Sequence, residues 1–211
     1  MTDTKLKQRT GASGDRLRVR LRERLLEAGL ELFGLYGYAH TSVEALCEEA
    51  GVAEAVFREE YESPEGLLIA LHNRVSTNGM RAAENVQLAV DIDTCTAPVR
   101  VRRLFDAYVD AVTRDPREAR VAFVEVLGVS RAVDEHCRRW REAWVEFYTA
   151  ATARAVGRGE AVNTDHRADV IVMVNTIHEL MAHHSRRPRR ARPQDVSGEL
   201  THLALTLLTT E

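Results

Sequence analysis

Apolar residues recur along this chain at three- and four-residue spacing, and no segment alternates convincingly with the period of two that marks a half-buried strand. From Arg16, the set Leu21, Leu25, Ala28, Leu32 and Leu35, widened by Leu26, Leu30 and Phe33, predicts an amphipathic helix packing on at least two neighbours. Gly34, Gly37 and Tyr38 close it. Thr41-Ser42-Val43-Glu44 has the spacing of a capping box, with Thr41 as N-cap and Glu44 reaching back. Val43, Leu46, Cys47 and Ala50 then form the buried face of a short helix, which Gly51 stops by supplying a left-handed backbone. The tight Gly51-Val52-Ala53 turn leads into a second short helix over 54–61, and Ser63-Pro64-Glu65 starts a long one running to about residue 89.

A loop over 91–98 opens the second half, where the spacing predicts helices over 99–114, 117–129, 131–156, 165–186 and 194–209. The breaks are Asp115-Pro116, Gly128, Gly157-Arg158-Gly159 and an Arg/Pro run from Arg186 to Pro193. The expectation is an all-α protein of about nine helices: a disordered basic tail over 1–15, a three-helix head over 16–63 and a helical body over 64–211.

Charge alters this picture locally rather than globally. Residues 1–14 contain no apolar run of the signal-peptide kind, and no stretch approaches the roughly 18 uninterrupted apolar residues of a membrane span, so a cytoplasmic protein is expected. Cys47, Cys95 and Cys137 lie far apart without metal-like spacing and read as reduced thiols. The net charge is -3, yet Lys5, Lys7, Arg9, Arg16, Arg18, Arg20, Arg22 and Arg24 crowd the N-terminus. An acidic chain can still present a basic surface to phosphates.

Two short helices joined by a three-residue turn, with a helix before and a helix after, form the unit that lays a helix in a major groove. The stretch from Leu25 to Leu68 resembles the N-terminal signature of the tetracycline-repressor (TetR) family. The resemblance rests on Ala28, Leu32-Phe33, Gly37-Tyr38, Thr41-Ser42-Val43, Leu46, Ala50-Gly51-Val52, Phe57, Tyr61, Ser63, Glu65 and Leu67-Leu68. It implies a helix-turn-helix regulator of double-stranded operator DNA whose body binds a small effector. It also implies a homodimer formed through the last two helices.

The matching residues are mostly core and capping residues, while the groove-facing chemistry departs from the family. Ala53 stands where a Ser usually begins the recognition helix, which loses a cap worth about 1 kcal/mol. Ala55-Val56 replaces a small Gly-Thr pair, Arg58 a phosphate-touching aromatic residue, Glu59-Glu60 a polar or aromatic pair, and Pro64 a Lys. From Thr41 to Leu68 the acids are Glu44, Glu48, Glu49, Glu54, Glu59, Glu60, Glu62 and Glu65, against Arg58 alone. Phe57 and Tyr61 share the side expected to pack, leaving Ala55, Val56 and Glu59 outward. Glu59 is suited to accept from a cytosine amino group, and Ala55 or Val56 to touch a thymine methyl. The DNA-facing candidates are therefore Thr41, Ser42, Ala53, Glu54, Ala55, Val56, Arg58 and Glu59, with Arg16, Arg18 and Arg20 of the arm.

In the body, Phe105, Tyr108, Phe123, Trp140, Trp144, Phe147, Asn175 and His178 are candidates to line an effector pocket; Tyr148, Met173 and Met181 are further large residues there. The stripe Trp140, Trp144, Phe147 and Tyr148 also fits plain core packing. His178, His183 and His184 are not spaced to share one helix face, so neither a metal nor another cofactor is expected. Val170, Ile171, Val174, Ile177, Leu180 and Met181, with Leu200, Leu203, Leu207 and Leu208, give the last two helices broad apolar faces. No nucleophile elbow, phosphate loop or catalytic carboxylate pair points to an enzyme. Two readings remain: a repressor released by its effector, and a sensor or interaction module of the same fold without sequence-specific DNA binding.

Overall fold

A computed structural model describes the backbone of residues 3–186 and 192–209, and the side chains of residues 14–186 and 192–207. Its described residues form nine α-helices and no strand: α1 (Asp3–Tyr36), α2 (Val43–Ala50), α3 (Glu54–Tyr61), α4 (Pro64–Gln87), α5 (Ala97–Thr113), α6 (Pro116–Arg120), α7 (Arg131–Gly157), α8 (Arg167–Ser185) and α9 (Pro193–Thr209). A single π-helical turn, Val121–Glu125, follows α6 where the sequence suggests one continuous helix. The chain divides into two compact units, Met1–Leu71 and His72–Glu211.

In the first unit, α1 buries Leu25, Ala28, Leu30 and Phe33, while Leu35, expected on the packed stripe, is exposed. The unit extends past residue 63 because Leu67, Leu68 and Leu71 of α4 are fully buried in it. Gly29 of α1 allows that packing, since a Cβ there would lie 2.8 Å from Leu67 Cδ2. The helix also starts earlier than Arg16, at Asp3; residues 3–15 contain no proline to interrupt it. The side chains of Lys5, Lys7 and Arg9 lie outside the described residues.

The N-cap is displaced by one residue, and with Ala45 at N3 the reciprocal half of the expected capping box is lost. Ser42, not Thr41, is the N-cap of α2, and its hydroxyl accepts from the Ala45 N–H at 3.2 Å. Thr41 follows a 3-10 turn over Tyr38–His40 and donates its hydroxyl to Gly37 O at 2.9 Å, so it is committed before the helix begins. Gly51 ends α2 at φ 59°, ψ 44°, and Val52 N–H reaches back to Cys47 O at 3.0 Å.

In the second unit, α5, α7, α8 and α9 surround a core that includes Phe105, Tyr108, Trp144, Tyr148, Met173, Ile177, Met181 and Leu200. Met181 and Leu200 are fully buried, but Ile171, assigned to the packed face of α8, is 42% exposed beside Val172 at 55%. A helix face wide enough for two neighbours reads the same whether both are present or one is missing. The Arg/Pro run read as the α8–α9 connection lies, at residues 187–191, outside the described residues, as does the side chain of Leu208. All three cysteines are free thiols. No helix among the described residues is long and apolar enough to cross a membrane.

Candidate functional site

The body holds a cavity of about 490 Å³. Leu104 and Phe105 of α5, Tyr148 and Thr152 of α7, Val170 and Met173 of α8 and Ala204 of α9 form much of its wall. These residues are buried because helical spacing turns one side of each helix inward, yet the four helices leave between them a volume that their side chains do not fill. Phe105 and Tyr148 stack with centroids 6.1 Å apart. Burial pushes the Tyr148 hydroxyl well above its ordinary pKa, with the neighbouring Tyr108 adding to the shift, so it stays neutral.

Charged side chains also line this cavity, and Arg100, Arg158, Asp93 and Glu160 cluster through ion pairs into one charged end. Arg100, Arg154, Arg158, Asp93, Glu160 and Asp169 all line the cavity. Arg100 donates to the carbonyls of Ile92 (2.7 Å) and Cys95 (3.0 Å), and its second guanidinium nitrogen donates to Glu160. Arg158 Nε donates to the other Glu160 oxygen at 2.9 Å. His166, buried in the same wall, has Nε2 2.7 Å from Val162 O and Nδ1 3.2 Å from Asp169.

Away from the cavity, His72 is buried with Nδ1 3.1 Å from His136 Nε2 and 3.3 Å from Ser76 Oγ. Burial, with the charges of His136, His178 and Arg141, pushes the His72 pKa down to about 3. Burial and Arg141 push His178 down to about 4. Both rings are neutral near pH 7.

On the first unit, α3 packs through Phe57 and Tyr61 and leaves Glu54, Ala55, Arg58 and Glu59 exposed, with Val56 half-buried. Ala53, its N-cap, has no side-chain oxygen for the first turn. Glu60 behaves unlike its neighbours: its side chain is only 3% exposed and is held by Arg18 at 2.5 Å and Arg22 at 3.0 Å. Arg22 also lies over the Tyr61 ring at 5.2 Å, and its carbonyl accepts from the Tyr61 hydroxyl. Arg58 is tied to Glu54, one helical turn back, at 2.5 Å and 2.8 Å.

Residues 25–71 match the family model described as bacterial regulatory proteins, tetR family. The fatty acid degradation regulator FadR from Bacillus halodurans superposes with a TM-score of 0.75 at 13% identity, covering 88% of this chain and 94% of that one. The chain has the head and the fold of the TetR family. FadR from Bacillus subtilis, solved in complex with stearoyl-CoA, gives a TM-score of 0.73 at 16% identity, covering 88% of this chain and 97% of its own. A TetR-family regulatory protein from Rhodococcus RHA1 gives 0.71 at 20% identity, covering 90% and 98%. At these identities the likeness is one of fold. No curated protein matches the sequence.

Within this TetR fold, the residues singled out from sequence are distributed unevenly. Phe105 lines the large cavity. Tyr108, Trp144 and His178 line a separate crevice of about 10 Å³, too small for any effector, where Tyr108 and Trp144 meet edge to face at 5.1 Å. Phe123 packs on the His178 ring at 5.6 Å, and Phe147 on Trp144 at 5.6 Å. Trp140 Nε1 donates to Asn73 at 3.3 Å, and Asn175 is exposed with its amide on Ile171 O. His184 lies 3.3 Å from Glu199. Of the DNA-facing set, Ser42, Ala53, Glu54, Ala55, Arg58, Glu59, Arg16, Arg18 and Arg20 are exposed, and Thr41 and Val56 are half-buried.

The charged end of the cavity went unnoticed in the sequence. Gly157-Arg158-Gly159 was read there as a helix break, which it is, but Arg100 and Glu160 are sixty residues apart and no local pattern joins them.

Proposed function

We propose that this protein is a transcription regulator, a repressor in which the outward face of α3 and the arginines of α1 hold operator DNA and an effector in the body cavity releases it. The observation that carries this reading is the mainly apolar cavity of about 490 Å³ in a TetR fold, a volume in the range of small-molecule sites. Its apolar wall and charged end suit an amphipathic effector. The fold likeness to a FadR solved with stearoyl-CoA supports an acyl chain as its apolar part. The regulator acts in the cytoplasm as a homodimer through α8 and α9, whose exposed Ile171 and Val172 provide apolar surface for that contact. The effector releases DNA by binding more tightly to the conformations whose heads do not fit successive major grooves.

The test is a mobility-shift titration of DNA from upstream of the protein's own gene, at low salt, with dimer and fold verified. A sequence-specific shift, reversed by an acyl effector, is expected. No specific shift would sink the reading. The alternative, a sensor of the same fold without DNA recognition, is favoured by one observation: Glu54 neutralises Arg58, the sole basic residue of α2 and α3. That alternative predicts that Arg58→Ala leaves any DNA retention unchanged.

A further inference from the structure

At the charged end of the cavity two guanidinium groups close on one carboxylate. Arg100 and Arg158 each take a different oxygen of Glu160, so its carboxylate bridges two guanidinium groups through charge-assisted hydrogen bonds, the donors with which arginine also holds ligand carboxylates and phosphates. Arg100 is well placed to keep that position, since its other terminal nitrogen is fixed by the carbonyls of Ile92 and Cys95 and its side chain is only 12% exposed. Arg158 is oriented in addition by Asp93, 3.6 Å away. Glu160 is anchored at its backbone, where its N–H donates to Ala155 O at 2.9 Å. It stands just after Gly159, at φ 70°, in the segment between α7 and α8, and its carboxylate is held by these two arginines. Burial alone would raise its pKa, but the hydrogen bonds from Arg158 and Arg100 hold it below the usual carboxylate value, so the group in the fork is an anion. The apolar wall of Leu104, Phe105 and Met173 belongs to the same cavity.

We infer that the Arg100–Arg158 fork is the recognition site for the anionic group of an amphipathic effector, and that Glu160 is a built-in competitor which the effector's carboxylate or phosphate displaces. The inference rests on the cavity being the effector site. Two positive groups face one negative group at close range, so exchanging Glu160 for a ligand anion preserves the pairing that desolvated guanidinium groups require. A neutral ligand of the same length has nothing to offer the fork and leaves Glu160 in place. The device therefore sets a threshold: it weakens binding of anionic ligands by the strength of the internal ion pair, and it gives neutral ones no gain.

Binding of dodecanoate, dodecyl phosphate, dodecanoyl-CoA and dodecanol to the full-length protein, read by calorimetry without DNA, tests this. Glu160→Gln should tighten binding of at least one of the three anionic probes by about tenfold and leave dodecanol within about twofold. Arg158→Met should weaken the same probe by about tenfold, with Arg158→Lys restoring part of the loss. A gain confined to dodecanoate assigns the fork to a carboxylate, and one confined to the other two assigns it to a phosphate. Equal effects on anionic probes and dodecanol, an unchanged or weakened affinity in Glu160→Gln, or no saturable binding of any anionic probe to either protein would overturn the inference. Where Glu160→Gln fails to fold, the Arg158 pair decides by the same contrast between anionic and neutral probes. Failure of DNA binding or release leaves these affinities untouched and counts against the operator reading alone.

Discussion

Glu59 and Glu60 are adjacent in sequence, and only Glu59 is presented to solvent; Glu60 turns about 100° around α3 into the reach of Arg18 and Arg22 of α1. The acidity of the head, counted along the chain, is therefore smaller at its surface than the count suggests. The same two ion pairs commit one of the arginines expected to meet DNA. Buried histidines give a second residue-scale consequence. His72 titrates near 3 in the folded protein against about 6.5 in the unfolded chain, so below pH 6.5 the unfolded chain takes up a proton that the folded one refuses. The stabilisation is fully present above pH 6.5 and is lost as the pH falls towards 3. Between pH 6.5 and 5 this costs roughly 2 kcal/mol for this one site. Thermal midpoints measured across that window should fall with acidity, and more gently in His72→Gln; an identical slope in the variant would exclude His72 as a source.

At the scale of elements, helix ends depended on contacts that residue spacing does not carry. Thr41 and Ser42 are both good N-cap residues, and the choice between them was made by the 3-10 turn that draws the Thr41 hydroxyl back to Gly37 O. The two short helices then differ in support. Ser42 caps α2, whereas Ala53 leaves the first N–H groups of α3 without a side-chain acceptor. Ala53→Ser should stabilise α3 by about 1 kcal/mol, seen as slower amide exchange along that helix and a higher midpoint for the first unit. No change in exchange would mean that the serine hydroxyl takes another partner. The extent of α1 shows the limit in the other direction: a polar stretch without proline, such as residues 3–15, is compatible with helix or coil, and apolar spacing is silent about it.

For the whole molecule, the distribution of charge bears on the proposed contact with DNA. Arg58 is exposed, but it is neutralised by Glu54 on the same helix face. Glu54→Gln should free it, tighten DNA binding, and steepen the dependence of log K on log salt by about one phosphate contact. Fluorescence anisotropy over a salt series measures both quantities, and an unchanged slope would show that Arg58 does not reach a phosphate. The nine helices, the position of the helix-turn-helix and the inward side of α3 were all legible in the sequence, because each follows from spacing within a few turns. Leu25, Phe33, Leu46, Phe57 and Tyr61 are buried as their periodicity requires. The candidate effector site was not legible to the same degree. Trp144, Tyr108 and His178 are large residues that fit a pocket or plain core by their spacing, and they fill the core around a crevice of about 10 Å³. What the sequence by itself determined was the all-helical build, the head and the residues that pack it, since helical periodicity and caps act between near neighbours. What only the tertiary structure decided was where side chains from distant helices fail to fill space, and that Arg100, Arg158 and Glu160 meet at the edge of that space. Cavities and ion pairs across long loops depend on the packing angles of whole helices, which no short window of sequence records.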